Sequence, residues 1–271
     1  MDLQLTGKRA VVTGGSRGIG LAVAEGLAAE GAHVALVARG REALDAAVAR
    51  VAQVARVAGH GTTVLARPTD TTDDDDVRAM VAEVAGTLGG VDVLVNAAAR
   101  PASSAPVPSL AELTDDALRA EVETKVLGYL RCARAVAPLM AAQGWGRIVN
   151  VSGLNARQSG SLVGSVRNVA VAAMTKNLAD ELGPAGITVT VVHPGITVTE
   201  RTSSMLLDRA SREGVSPGQV EARLAAATSL GRLVTAAEVA DVVVFLASPR
   251  SAAVTGDAIA AGGGTRGAIH Y

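Results

Sequence analysis

Residues 9–23 read Arg9-Ala10-Val11-Val12-Thr13-Gly14-Gly15-Ser16-Arg17-Gly18-Ile19-Gly20-Leu21-Ala22-Val23. An apolar run ends at Thr13, a glycine-rich turn follows, and a helical pattern opens at Gly18. The glycines at 14, 18 and 20 have the spacing G-x3-G-x-G. Glycine permits a tight turn and lets backbone N–H groups approach a ligand closely. The first turn of a helix adds free N–H groups and a partial positive charge, which suits a pyrophosphate. A glycine pattern alone says little. Strand before and helix after make it a dinucleotide-binding turn, with Gly14, Ser16, Arg17, Gly18, Ile19 and Gly20 as its contacts.

The same alternation continues outward. "HVALVAR" (33–39) precedes a helical pattern with Leu44, Val48, Val51 and Ala55 on one face. "TTVLARP" (62–68), "VDVLVNAAA" (91–99), "GRIVNVSG" (146–153) and "ITVTVVHPG" (187–195) read as further strands. Between them lie helical stretches, one running from about Thr114 to Gln143. Strands this apolar do not face water, so the pattern predicts a parallel sheet covered on both faces. The expected fold is α/β: one Rossmann-type, doubly wound domain over residues 1–271. Asp73 to Asp76 read as the acidic first turn of a helix, and Thr235 to Glu238 as a capping box. The less regular region from about Gly195 to Leu233 follows a strand end, where substrate-covering segments occur.

Composition excludes several functions. Hydrophobic residues make up 49% of the 271, but aromatics only 1%, so base stacking on aromatic platforms is not expected. A formal net charge of −1 without a basic block argues against nucleic acid. The single cysteine, Cys132, allows no internal disulfide and no multi-cysteine metal site. No apolar run reaches the roughly 20 residues that span a bilayer. The start "MDLQLTGKRAVV" has no basic-then-apolar leader, so a cytoplasmic location is expected.

Six regions taken together resemble the short-chain dehydrogenase/reductase family, in order and over nearly the whole chain. They are "TGGSRGIG", "DVLVNAAA", "RIVNVSG", "VVHPGITVT", "LGRLVTAAEVADVVVFLAS" and "TGDAIAAGGG". The resemblance implies about seven strands, a nicotinamide dinucleotide, a small-molecule carbonyl or alcohol substrate, and a homo-oligomer, tetramer or dimer. It also implies that Asp70 meets the adenine, and that Asn96, Ala98, Pro194, Gly195 and Thr197 border the ribose and nicotinamide. Ala97 and Ala99 depart from the family's Asn-Asn-Ala-Gly. Where NAD binders carry an acidic residue at the end of the second strand, this chain has Ala38 followed by Arg39. With Arg17, that favours the 2′-phosphate of NADP, with NAD possible.

The resemblance also implies a proton-moving set of Ser, Tyr, Lys and Asn, and here the chain departs from it. Ser152 holds the serine place at the end of "RIVNVS". Counting back along the helix from Thr175 puts Asn168 at the lysine place and Gly164 at the tyrosine place. The chain has two tyrosines, Tyr129 and Tyr271, and three lysines, Lys8, Lys125 and Lys176. None forms Tyr-x-x-x-Lys, so the likeness is to a divergent subgroup. Registered on Gly128, Lys125 falls where the family has asparagine, so Lys125 and Asn168 are an exchange of two polar partners. Lys125, its ammonium pKa lowered by burial, could donate a proton or stabilise an alkoxide beside Ser152. Alternatively it is a surface lysine paired with Glu121 at i−4. Gly164 would leave the phenol's space open for substrate or water. Tyr129, His193, and His270 with Tyr271 in the tail are lesser candidates.

Three functions stay open on these grounds. The first is an NADP-dependent oxidoreductase with non-standard catalytic residues Ser152, Lys125 and Asn168. The second is an inactive nucleotide-binding homologue serving as partner subunit or sensor, and the third a non-redox lyase or isomerase. No metal site is expected.

Overall fold

The computed structural model of the chain describes residues 1–100 and 106–266. His270 and Tyr271 lie outside the described residues. The chain opens with β1 (Arg9–Thr13), α1 (Gly18–Ala29), β2 (His33–Ala38), α2 (Arg41–Val57), β3 (Val64–Pro68), α3 (Asp74–Leu88) and β4 (Val93–Asn96). It continues with α4 (Asp115–Glu121), a π-helical segment Val122–Leu127, α5 (Gly128–Ala142), β5 (Gly146–Val151), α6 (Leu162–Leu182) and β6 (Ile187–Pro194). The last elements are β7 (Thr197–Val198), α7 (Thr202–Glu213), α8 (Pro217–Ala226), β8 (Val234–Thr235), α9 (Ala236–Ala247) and β9 (Ala258–Ala261).

Seven strands form one parallel sheet in the order β3-β2-β1-β4-β5-β6-β9. The strand order reverses between β1 and β4, so a crevice opens at their carboxyl ends. Alternation along the strands explains the two-faced burial. Ala10, Val12, Val34, Leu36, Val93 and Val95 pack with α1, α2 and α9. Their neighbours Val11, Ala35, Val37 and Leu94 pack with α3 and α5 on the opposite face. Successive strand residues point to opposite sides, so both sides must be apolar. A core so poor in aromatics is filled by valine, leucine and alanine, which let helices approach the sheet closely.

The helix ends follow their chemistry. The Asp73 side chain caps α3 by accepting from the N–H groups of Asp75 and Asp76. Thr235 and Glu238 form the reciprocal capping box of α9. The helical stretch expected from about Thr114 to Gln143 is there as α4, a π-helical turn at Val122–Leu127 and α5 in succession. The region 195–233, expected to be less regular, holds α7 and α8. Leu206 and Ala210 of α7 bury against Val220 of α8, and a Ser216–Gln219 capping box starts α8. Leu206 thus serves a local core, while Leu207 faces solvent. Among the described residues, no helix is long and apolar enough to cross a membrane.

Candidate active site

The β1–α1 turn is built by close backbone approach. Gly14 has φ +68°, and a Cβ there would lie 2.7 Å from the carbonyl oxygen of Ala97. A Cβ on Gly20 would lie 2.3 Å from the carbonyl oxygen of Gly14. No side chain fits at either place, so the turn can fold only over bare backbone. The Thr13 hydroxyl ties the turn to β4 by accepting from the N–H groups of Ala97 (3.2 Å) and Ala98 (3.3 Å). Gly18, at φ +56°, faces the crevice, and only the Thr199 methyl group approaches its Cβ position, at 3.7 Å.

Arg17 and Arg39 are both exposed, one as the N-cap of α1 and one just beyond β2. The Asp70 carboxyl is held below its ordinary range by hydrogen bonds from Thr72, with Arg39 adding its charge. Asp70 and Arg39 therefore border one region of the crevice. Ser16 and Ile19 complete the turn between them. Pro194 ends β6, and Gly195 packs on Gly262, where a Cβ would sit 3.1 Å from its Cα.

Asn96 is fully buried, and its amide donates to Asn150 Oδ1 at 3.0 Å, joining β4 to β5, while its own Oδ1 has no hydrogen-bond partner among the described residues. The Thr197 hydroxyl donates to the Gly195 carbonyl (3.1 Å). Thr199, two residues on, reaches the glycine turn, and so does Glu200, whose Oε2 accepts from the Gly18 N–H at 3.3 Å. Neither was singled out from sequence. The proximity comes from the short parallel pairing of β7 with β8, which has no strong pattern.

At the other end of the crevice, Lys125 is buried on the π-helical segment. Its Nζ donates to the carbonyl oxygen of Ser152 at 2.8 Å. A π turn adds one residue to the helical repeat and so redirects the side chains that follow. The surface pairing of Lys125 with Glu121 does not occur, since Glu121 pairs with Arg167 of α6. Burial pushes the Lys125 ammonium down to about 7, the positive charge of Arg167 adds to the fall, and Glu121 opposes it. Ser152 Oγ donates to the Asn168 carbonyl (3.2 Å). The Asn168 side chain is buried, with its Oδ1 lacking a hydrogen-bond partner among the described residues. Ser152, Lys125 and Asn168 thus meet at the carboxyl end of β5.

The neighbours clarify the rest. Tyr129 points the same way as Lys125, donating to the Val151 carbonyl at 2.9 Å, but burial drives its phenol far above the ordinary range. It is an anchor, not an acid. His193 is buried in β6. Burial pushes the Cys132 thiol up to about 12, leaving a core residue. Beside Gly164 the Cβ position itself is taken by side-chain ends. A Cβ there would meet the Asn155 amide nitrogen at 2.6 Å and Ser161 Oγ at 2.9 Å. Asn155 also borders a groove of about 600 Å³ with Arg157, Gln158, Ser161 and Ser165. Nothing in "SGLNARQSG" marks Asn155 over its neighbours, so this placement was not legible in the sequence.

Comparison with known proteins agrees with this architecture. A family model described as enoyl-(acyl carrier protein) reductase matches residues 14–266. The short-chain reductase protein NovJ of Streptomyces niveus is 35% identical over 257 residues, covering 94% of this chain and 92% of that protein. Cis-4-hydroxycyclohexanecarboxylate dehydrogenase of Sinomonas cyclohexanicum is 36% identical over 259 residues, covering 94% and 95%. The L-sorbose reductase of Gluconobacter frateurii, solved with NADPH and L-sorbose, matches with a TM-score of 0.89 at 30% identity, covering 99% of this chain and 100% of that one. The chain belongs to the short-chain dehydrogenase/reductase family, the NAD(P)-dependent oxidoreductases of carbonyls and alcohols.

Proposed function

We propose that the protein is an NADP-dependent oxidoreductase of a carbonyl or alcohol in which Lys125 moves the proton. The observation that carries this reading is the buried Lys125 amine, 2.8 Å from the Ser152 carbonyl at the end of β5. The crevice suits a dinucleotide on its own geometry. Its glycine turn excludes side chains at 14 and 20, Gly18 presents an N–H, and the buried Asn168 Oδ1 is an acceptor without a partner among the described residues. Ser16, Arg17, Gly18, Ile19, Arg39 and Asp70 would hold the nucleotide end. Asn96, Ala98, Pro194, Gly195 and Thr197 would border the nicotinamide end, with Thr199 beside the glycine turn.

When bound, the reduced nicotinamide supplies a hydride to a carbonyl carbon. The chain's own part is the proton. The Lys125 ammonium gives it to the developing alkoxide, directly or through one water, and the neutral amine is reprotonated from solvent. A buried cation also stabilises the oxyanion before transfer. Ser152 and Asn168 fix the amine and its surroundings. In the oxidation direction the neutral amine accepts the proton. Reduction should therefore fall as pH rises through about 7, and oxidation should rise.

Arg17 and Arg39 without an acidic residue at the end of β2 support NADP over NAD, and the NADPH-bound sorbose reductase is consistent with it. A small ketone or its alcohol is the expected substrate. Leu162, Val166 and Val169 form an exposed apolar stripe on α6, which supports a homo-oligomer. Residues 195–233, with α7 and α8, are read as the segment over the substrate, within one domain of 1–271. A cytoplasmic location fits a chain of this kind.

The test is NADPH oxidation across a panel of ketoses, cyclic ketones and ketoacyl thioesters, with Lys125→Met and Ser152→Ala alongside. Turnover that both variants retain would sink the reading. Gly164 favours a second reading, a nucleotide-binding homologue without activity, which predicts NADPH binding and no turnover on any substrate.

A further inference from the structure

Lys125 and Glu121 are one helical turn apart, the spacing at which lysine and glutamate ordinarily pair. They do not pair here. Glu121 Oε2 receives Nη1 of Arg167 from α6, and both side chains are about four-fifths buried. Arg167 Nε is buried without a hydrogen-bond partner, so Glu121 holds this guanidinium alone among the described residues. Arg167 also adjoins Asn168, whose carbonyl receives Ser152 Oγ. One ion pair therefore ties the helix before Lys125 to the helix that supports Ser152.

We propose that the Glu121–Arg167 ion pair is a positioning device for Lys125: it withholds the carboxylate one turn away, so that the amine has no counter-ion and turns to the Ser152 carbonyl instead. The inference rests on the reading of Lys125 as the proton-moving group. The charged groups that act on the amine are Glu121 of α4 and Arg167 of α6. The Ser152 carbonyl, just past the end of β5, accepts from it, and Tyr129 of α5 donates to the neighbouring Val151 carbonyl. Glu123, on the same π-helical segment, is paired with Arg131 at 2.6 Å. The two members of the ion pair act on the amine in opposite senses, since Arg167 disfavours the ammonium and Glu121 favours it.

The chain has three lysines, so the Lys125 signal can be followed directly in protein labelled with ¹³C and ¹⁵N at lysine. The titration of its ε-carbon is measured in the wild type, Arg167→Gln, Arg167→Lys and Glu121→Gln. Arg167→Gln should raise the Lys125 midpoint by about half a unit or more, because it removes a cation and frees Glu121. Glu121→Gln should lower it by a similar amount. Arg167→Lys keeps the charge and should leave it near the wild-type value. Midpoints that stay put, or that move in the same direction in both glutamine variants, overturn the proposal. Far-UV circular dichroism and the unchanged Lys8 and Lys176 signals identify a variant that is still folded. Because the titration needs no turnover, it is separable from the catalytic reading, which falls instead if Lys125→Met keeps full activity.

Discussion

The two ends of the crevice are made of different material. At the β1–α1 turn, what matters is peptide N–H groups and the absence of Cβ atoms. At the end of β5, what matters is side chains, with Lys125, Ser152, Asn168, Asn155 and the Glu121–Arg167 pair drawn from several turns and helices. A backbone site tolerates no added atom, while a side-chain site can exchange its parts if charge and reach are kept. The exchange of Lys125 and Asn168 proposed from the sequence resemblance would sit where exchange is permitted, and the resemblance implies none in the glycine turn.

The harshest way to test that contrast is to add one carbon at the rigid end. Gly20→Ala puts a Cβ 2.3 Å from the Gly14 carbonyl oxygen, and backbone cannot swing aside as a side chain can. NADPH binding should fall at least about a hundredfold, the equivalent of roughly 3 kcal/mol. Fluorescence titration measures it, and wild-type affinity would mean the turn does not hold the pyrophosphate.

The next effect concerns Lys125. Lys125→Met should cut turnover by about 10²–10⁴-fold, the usual span for a positioned acid or base. Its stability should change in a pH-dependent way. The native ammonium titrates near 7 and the unfolded one near 10.5, so between these values the unfolded chain binds more protons. Wild-type stability therefore rises with pH across that window, by up to roughly 4–5 kcal/mol, and the cost of burying the ammonium is fully present below pH 7. Lys125→Met removes this slope, so the variant should gain most over wild type at pH 6 and least at pH 10. Parallel Tm profiles for the two proteins would show that Lys125 is not buried as a strained cation.

This contrast also explains what could be read from sequence. The parallel strands, the cofactor turn and the place of Ser152 follow from local signals: the apolar runs, the glycine spacing, and the strand end before "SG". Asn168 and Gly164 were legible as departures because helix α6 could be registered on Thr175. The outcome for Lys125 was not legible. With Glu121 at i−4 it reads equally as a surface pair, and only the π-helical turn with Arg167, 46 residues beyond Glu121, decides otherwise. Asn155, Thr199 and Glu200 were missed for the same reason, since each acquires its role from a contact made across elements. Helices α7 and α8 were missed despite a capping box at Ser216, because α7 has no N-cap side chain and its apolar face is short.

A milder substitution separates function from fold at the tolerant end. Gly164→Ala should be near neutral for stability, within about 1 kcal/mol, as alanine's helix preference offsets disturbance of the Ser161 cap. Its Cβ meets two side-chain ends, Asn155 and Ser161, which can rotate away. If Asn155 helps to seat the substrate, KM should rise several-fold, about threefold to tenfold, while NADPH affinity stays constant. A change in neither KM nor kcat would mean that the filled space beside Gly164 is packing only.

The smallest effect is expected where the two materials touch. Glu200 leads into α7 and places Oε2 on the Gly18 N–H, a donor the turn would offer to a phosphate. A carboxylate and a pyrophosphate cannot share that donor, and their charges repel. The contact is solvent-exposed and single, so it is worth the few tenths to 1 kcal/mol typical of a charge at a helix N-terminus. Glu200→Gln should therefore tighten NADPH by about twofold to fivefold, and the difference from wild type should shrink as salt is raised and screening grows. An unchanged affinity at low salt would mean that Glu200 leaves the turn without cost. A salt-independent gain would point to a change in the β7–β8 loop itself. Either result would sharpen the contrast: at the backbone end a side chain can compete for the site, but the site's own groups remain the peptide N–H groups of the turn.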